Sequence, residues 1–287
     1  MIWRTALLGF LSVALLALSS DPARAGETSG ERSWYAGKLD LDTGFDYSTG
    51  DYGQDESTDV RAVPFSLRYR FQNLAWSRRD DIRLRASIAY LSVTGPERGG
   101  ASPGARGTDR GLGDVNLRVT YAFRPRPLWI PDLLLSERVK VPTASTSKNL
   151  GTGEFDYTTD ITLLKRIPLR RDRPPRTSDT WTFRYVTPYA IAGYKVVGKS
   201  PHEVLDNAWR FGGGATLNVT RRFDVGVNYF SRESTIPGQG SSQVVSPFTI
   251  YRVTPWLQIM PYARFGVGTR SPDWGTGMLI QLTRGIE

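Results

Sequence analysis

Lys38-Leu39-Asp40-Leu41-Asp42-Thr43-Gly44-Phe45-Asp46-Tyr47 decides how this chain is read. Leu39, Leu41, Thr43, Phe45 and Tyr47 share one parity, while Lys38, Asp40, Asp42, Gly44 and Asp46 share the other. A β-strand projects successive side chains to opposite faces. One face of this segment is therefore aliphatic and aromatic and the other strongly acidic, which suits hydrocarbon outside and a wet lumen inside.

The same alternation recurs along the chain. It predicts twelve strands, near 34–48, 59–71, 81–93, 112–124, 132–142, 154–165, 180–197, 207–219, 222–233, 243–254, 256–269 and 275–284. The expected fold is all-β, a transmembrane antiparallel β-barrel, and an even strand number suits that class. The clearest outward rows are Val63/Phe65/Leu67/Tyr69/Phe71, Ile82/Leu84/Ala86/Ile88/Tyr90 and Val115/Leu117/Val119/Tyr121/Phe123. Connections alternate between short turns and mostly longer segments rich in Gly, Ser and Pro, as barrels with short inner turns and long outer loops show. Trp34, Trp76, Trp129, Trp181 and Trp256 fall at the short-turn ends, where an interfacial aromatic girdle belongs. Trp209, Trp274, Tyr52 and Tyr194 are expected at the other end.

At the N-terminus, Arg4 precedes an apolar run from Ala6 to Leu18 and the small-x-small sequence Ala23-Arg24-Ala25. Residues 1–25 read as a removed signal peptide, because the run is shorter than the roughly 20 residues a spanning helix requires. Residues 26–287 then form the barrel, placed in the outer membrane. The mean hydropathy of −0.34 does not oppose this, since lumen residues dilute lipid-facing ones. With no cysteine in the sequence, disulfides contribute nothing. The formal charge of +9 could suggest a nucleic-acid partner, but an exported chain meets little nucleic acid, and the basic residues are scattered over strands and turns.

Two places resist the pattern. Glu137 shares parity with Leu133, Leu135 and Val139, so either a bulge shifts the register or a carboxylate faces lipid. The chain ends Thr283-Arg284-Gly285-Ile286-Glu287 rather than on the terminal aromatic that barrels usually present to the assembly machinery, an expected partner alongside outer-membrane lipid. The basic stretch Lys165, Arg166, Arg170, Arg171, Arg173 and Arg176, broken by prolines, reads as a solvated turn or a contact for anionic headgroups.

Gly111-Leu112-Gly113-Asp114 opens one strand, Lys140-Val141-Pro142-Thr143 ends the next, and Leu150-Gly151-Thr152-Gly153 precedes Asp156. With these motifs the chain resembles the outer-membrane transporter family named for the meta-pathway of phenol degradation. The resemblance implies passive passage of a small, hydrophobic or aromatic solute. Physically, Gly111, Gly113, Gly151 and Gly153 permit close approach or positive φ where a loop re-enters the wall, and Pro142 ends a strand without wasting a ladder donor.

The expected lumen carries basic rows (Arg68, Arg70, Arg83, Arg85, Arg118) and acidic rows (Asp40, Asp42, Asp46, Asp114, Asp156, Asp160). Facing rows of opposite sign would set a transverse field; rows that pair instead would close the lumen and leave a structural barrel. A soluble exported barrel would reverse the parities. His202, the only histidine, lies in Ser200-Pro201-His202-Glu203, so a lipid-hydrolase barrel is the enzymatic alternative. A triad, however, needs groups gathered by the fold rather than by adjacency. Neither a metal site nor a cofactor motif is evident, and no enzymatic role is expected.

Overall fold

The computed structural model describes residues 37–53, 55–72, 74, 77, 79–96, 106–125, 127, 129–148, 150–169, 183–199 and 204–286. The leader segment 1–25, Trp34, Trp76, Trp181, most of the basic stretch beyond Leu169, and Ser200 to Glu203 lie outside them. The strands are β1 (Gly37–Gly50), β2 (Thr58–Phe71), β3 (Asp81–Pro96), β4 (Arg106–Leu112), β5 (Val115–Phe123), β6 (Asp132–Val141) and β7 (Asp156–Leu164). They continue as β8 (Ile167–Pro168), β9 (Tyr185–Val197), β10 (Ala208–Asn218), β11 (Phe223–Arg232), β12 (Ser242–Arg252), β13 (Leu257–Gly266) and β14 (Trp274–Ile286).

Every pairing is antiparallel, β14 joins β1, and β9 joins β10, so the circuit closes. β4 and β5 both pair with β3, and β7 and β8 both pair with β9, which makes each couple one interrupted stave. The fourteen segments therefore build a closed twelve-stave barrel. Closure leaves no sheet edge and satisfies backbone groups along the wall, as hydrocarbon demands.

The parities face as the membrane reading requires. Leu41, Phe45, Phe65, Leu67, Leu84, Leu117 and Val119 are exposed on the outside, while Asp40, Asp42, Asp46, Arg68 and Arg70 are buried within. A soluble barrel would show the reverse. On β2 the outward apolar row runs from Phe71 to Val63, about 20 Å at ordinary barrel rise and tilt, close to the apolar band of outer-membrane barrels.

Three details depart from the sequence expectation or resolve it. The wall rises higher at β3 and β4, because Thr94 pairs with Thr108 and Pro96 with Arg106 where a loop was expected. Arg106, Thr108 and Arg110 alternate with Gly107, Asp109 and Gly111, so neither parity is greasy and the strand is silent in the pattern. Glu137 stays in register opposite Val119 and Thr159, with no bulge; its exposed carboxylate faces outward and accepts the Thr159 hydroxyl at 2.9 Å. Tyr52 does not join the outer girdle: it sits at φ +52° with its ring buried, and its hydroxyl donates to Ser48 Oγ at 2.8 Å. At the expected short-turn end Trp129 and Trp256 are exposed. At the opposite end Trp274 meets Tyr47, and Trp209 meets Tyr194 and Phe211.

Candidate functional site: the lumen and its inward loop

The glycine and Lys-x-Pro-Thr motifs converge on one structural unit at the long-loop end of the lumen. Along β3 the register moves from Tyr90↔Leu112 to Ser87↔Asn116, so one extra residue is accommodated around Gly113-Asp114, a β-bulge. The bulge turns the Asp114 carboxylate inward, where Oδ1 accepts the Ala144 N–H at 3.0 Å. The Thr143 hydroxyl donates to the Gly113 carbonyl at 3.2 Å and accepts the Val115 N–H at 2.9 Å. Lys140 Nζ lies 3.3 Å from Asp114, 3.0 Å from Asp156 and 2.6 Å from the Thr152 hydroxyl. The segment 142–155 is thereby folded into the barrel mouth.

Its apolar residues find partners there. Ala144 and Leu150 pack with Tyr52 from the β1–β2 loop and with Val60, Ala62, Ala89 and Leu91 from the upper lumen walls of β2 and β3. Small residues are required for this approach: a Cβ on Gly151 would lie 2.7 Å from Ala144 Cβ and 2.8 Å from Asp114 Oδ1, and one on Gly111 would lie 2.8 Å from Leu150 Cδ1. Gly153 follows at φ +76°, a conformation for which glycine pays no steric penalty. Pro142 sits just past the end of β6. Among the described residues, 142–148 and 150–155 form this inward element.

The charged rows all line the lumen, but they do not confront one another across it. β1 is acidic, and β2 beside it and β3 beyond β2 are basic, so pairing runs sideways along the wall. Asp40 and Arg68 are cross-strand partners in register and pair at 2.8 Å, and Thr283 donates to Asp40 at 2.6 Å. Asp42 accepts the Ser66 hydroxyl at 2.8 Å and lies 3.4 Å from Arg85. Arg83 pairs with Asp81, Asp46 with Arg264 and Tyr262, and Asp160 with Arg210 at 3.2 Å. The transverse field expected from β1 against β2 and β3 is therefore cancelled locally. Arg70 shares this buried environment, and Arg118 lies on β5 between Thr120 and Asn116.

Cations dominate elsewhere in the lumen. Arg118, Arg138, Lys140, Lys195, Arg210 and Arg232 project from β5, β6, β9, β10 and β11, set against Asp114, Asp156 and Asp160. Sequence reasoning placed only Arg118 of these six in the lumen, although the parity of Leu133, Leu135 and Val139 already sent Arg138 and Lys140 inward. A cavity bounded by Arg138, Lys195, Arg210, Phe230 and Arg232 opens at this arc, and a second cavity toward the loops shares Lys195 and Arg232 and adds Thr235 and Arg270. Nearer the short-turn end, the lumen wall of β12 to β14 is apolar, built by Phe248, Ile250, Met260 and Leu279 with Tyr262. In strand order β13 stands opposite β6. The lumen thus combines a basic arc in its upper half with an apolar arc lower on the other side.

These features define a β-barrel of the outer-membrane class, with an apolar belt outside and a packed, charged lumen inside. Among solved structures the chain is similar to an outer membrane channel of Pseudomonas putida F1, with a TM-score of 0.69 at 10% identity over 91% of this chain and 100% of that one. It is also similar to the β domain of the Bordetella autotransporter BrkA, with a TM-score of 0.51 at 8% identity over 86% of this chain and 99% of that one. At these identities the likeness is one of fold, and a fold alone does not fix a function. No protein-family model and no curated protein sequence matches the chain.

Proposed function

We propose that the protein is an outer-membrane channel for the passive passage of small organic solutes, with a preference for those carrying a negative charge on an apolar body. The observation that carries this reading is the division of the lumen into a basic arc and an apolar arc. A carboxylate entering from the long-loop side meets Arg232, Lys195 and Arg210, of which Lys195 pairs with Asp156 and Arg210 with Asp160. Its apolar body then passes Phe248, Met260 and Leu279. This supports the solute class that the motif resemblance implies, and a lumen lined with charged rings selects by sign.

The chain's own residues explain how passage would be restrained. Tyr52 and the inward residues Ala144 and Leu150 fill the mouth above β2 and β3, so the proposed path runs past the cavities beside β9 to β11. Twelve staves place the barrel between the filled eight-stranded barrels and the open sixteen-stranded porins.

Planar-bilayer conductance of the refolded protein under a salt gradient tests the proposal. Discrete steps with an anion-selective reversal potential, blocked by benzoate but not by benzylammonium, are the expected result. A heat-modifiable, closed barrel that gives no conductance would overturn it in favour of a structural barrel.

A further inference from the structure

The outward face of a membrane barrel should change from apolar to polar at the headgroup level, and here that change is abrupt and basic. On β2 the outward row runs Phe71, Tyr69, Leu67, Phe65, Val63 and then Arg61. On the β4/β5 stave it runs Phe123, Tyr121, Val119, Leu117, Val115, Leu112 and then Arg110. The two arginines occupy a single register row, because Arg61 pairs with Ser92 and Ser92 with Arg110. Two inter-strand spacings separate their backbones, roughly 10 Å, a span that two long side chains can close over one headgroup.

Both side chains are exposed, and neither has an acidic partner among the described residues. Asp59, the carboxylate one row higher, is already engaged by Arg106 at 3.1 Å and by the Tyr47 hydroxyl at 3.0 Å. Asp109 has the opposite parity and faces the other way. Asp51, Asp55 and Glu56 are exposed in the loop beyond Thr58, above this row. Lys148, whose ammonium donates to the Arg110 carbonyl at 3.4 Å, adds a further positive charge beside it. Ser92 supplies a hydroxyl between the two guanidinium groups, and Tyr47 pairs with Arg61 on its other side.

We infer that Arg61 and Arg110, with Ser92 between them, bind the phosphate of an anionic lipid of the outer leaflet, a phosphorylated glycolipid whose acyl chains lie along the apolar rows below. Guanidinium groups engage phosphate through paired, charge-assisted hydrogen bonds. Basic clusters placed just outside the hydrocarbon are the usual signature of anionic-lipid recognition. Lipid is the occupant favoured over a soluble anion because Leu112, Tyr90 and Val63 form a continuous apolar surface directly beneath the cations. The inference rests on the membrane placement of the barrel and is independent of conduction.

The test uses the refolded full chain in detergent with a bisphosphorylated lipid A-type glycolipid and its dephosphorylated counterpart, bound lipid being counted by native mass spectrometry. The wild-type protein should retain the phosphorylated lipid at least tenfold better than the R61Q/R110Q variant and than the dephosphorylated lipid is retained. Inorganic phosphate at equal concentration should not compete. Equal retention by the variant, equal retention of the dephosphorylated lipid, or full competition by inorganic phosphate would each overturn the inference. The heat-modifiable mobility of the variant checks that its barrel has closed, and an R61K/R110K variant that keeps most binding separates charge from fold damage. If the wild-type protein fails to insert into phosphatidylcholine vesicles, the membrane placement itself falls.

Discussion

The Asp114 carboxylate accepts the backbone N–H of Ala144 at the mouth end of the paired strands β5 and β6, at 3.0 Å, while Lys140 neutralises it at 3.3 Å. One side chain thus holds the inward segment 142–155 to the wall and sets the bulge that begins β5.

Replacing Asp114 with Ala removes a charge-assisted hydrogen bond and leaves the buried Lys140 with Asp156 alone. Such losses cost about 2–3 kcal/mol. The D114A barrel should lose its heat-resistant mobility at a lower temperature and be cleaved by protease within 142–155, where the wild-type protein resists. If conduction is gated at the mouth, open-state current should rise in the same variant.

Gly151 offers a steric test of the same segment. A methyl at this position would meet Ala144 and Asp114 inside contact distance, whereas a Cβ on Gly285 meets nothing. G151A should destabilise by about 1–3 kcal/mol, as overpacking does, and G285A should be close to silent in a thermal melt.

The Asp40–Arg68 pair is buried on both sides. Breaking it from one side strands a charge, at about 3–5 kcal/mol, while replacing both partners with neutral isosteres is far milder. Refolding yields of R68Q, D40N and R68Q/D40N should show this non-additivity, with the double variant more stable than R68Q.

Asp80, in the turn before β3, sets an acid limit. Burial alone would raise its carboxyl, but hydrogen bonds from the Arg124 N–H and the Tyr121 hydroxyl, both at 2.8 Å, together with Ser77 and the nearby Arg124 charge, hold it below the ordinary range. Ionised Asp80 therefore stabilises the fold fully above the unfolded value of about 4, and that contribution is lost as pH falls through the lower folded value. Melting curves of D80N should fall less steeply between pH 5 and pH 2, on the order of one unit either side of these values, than those of the wild-type protein.

Glu137 faces outward in the middle of β6, where its carboxylate accepts the Thr159 hydroxyl. A lipid-facing carboxylate is unfavourable, though less so than a lipid-facing Arg or Lys. E137L should stabilise the refolded barrel by on the order of 1 kcal/mol in urea titrations performed in vesicles.

Strand existence and facing were legible wherever the two parities differed in greasiness, as in Leu39/Leu41/Phe45 against Asp40/Asp42/Asp46. They became illegible where both parities were polar, as at Arg106 to Gly111, and there the wall proved taller than expected. The motif glycines were visible as sites of close approach, but which loop they served was not. That depended on Asp114 reaching Ala144, a contact between residues thirty positions apart in the chain. Lateral rather than transverse pairing of the charged rows followed from β1 neighbouring β2, and was readable once strand order was fixed. The cations Lys195, Arg210 and Arg232 escaped notice because they share the inward parity with Gly193, Gly212 and Gly226, so the inward rows of β9 to β11 lack the run of charges that marks that face on β1 to β3.

The extra residue at Gly113-Asp114 has an evolutionary corollary. Above it Arg106, Thr108, Arg110 and Leu112 face outward, and below it Val115, Leu117 and Val119 do so, the switch of parity being absorbed by the bulge. A chain shortened by one codon there would turn Arg106 and Arg110 into the mouth of the lumen and put Asp109 on the membrane side. In this barrel a single insertion or deletion, with no substitution at all, would exchange the charge on the rim between its two surroundings.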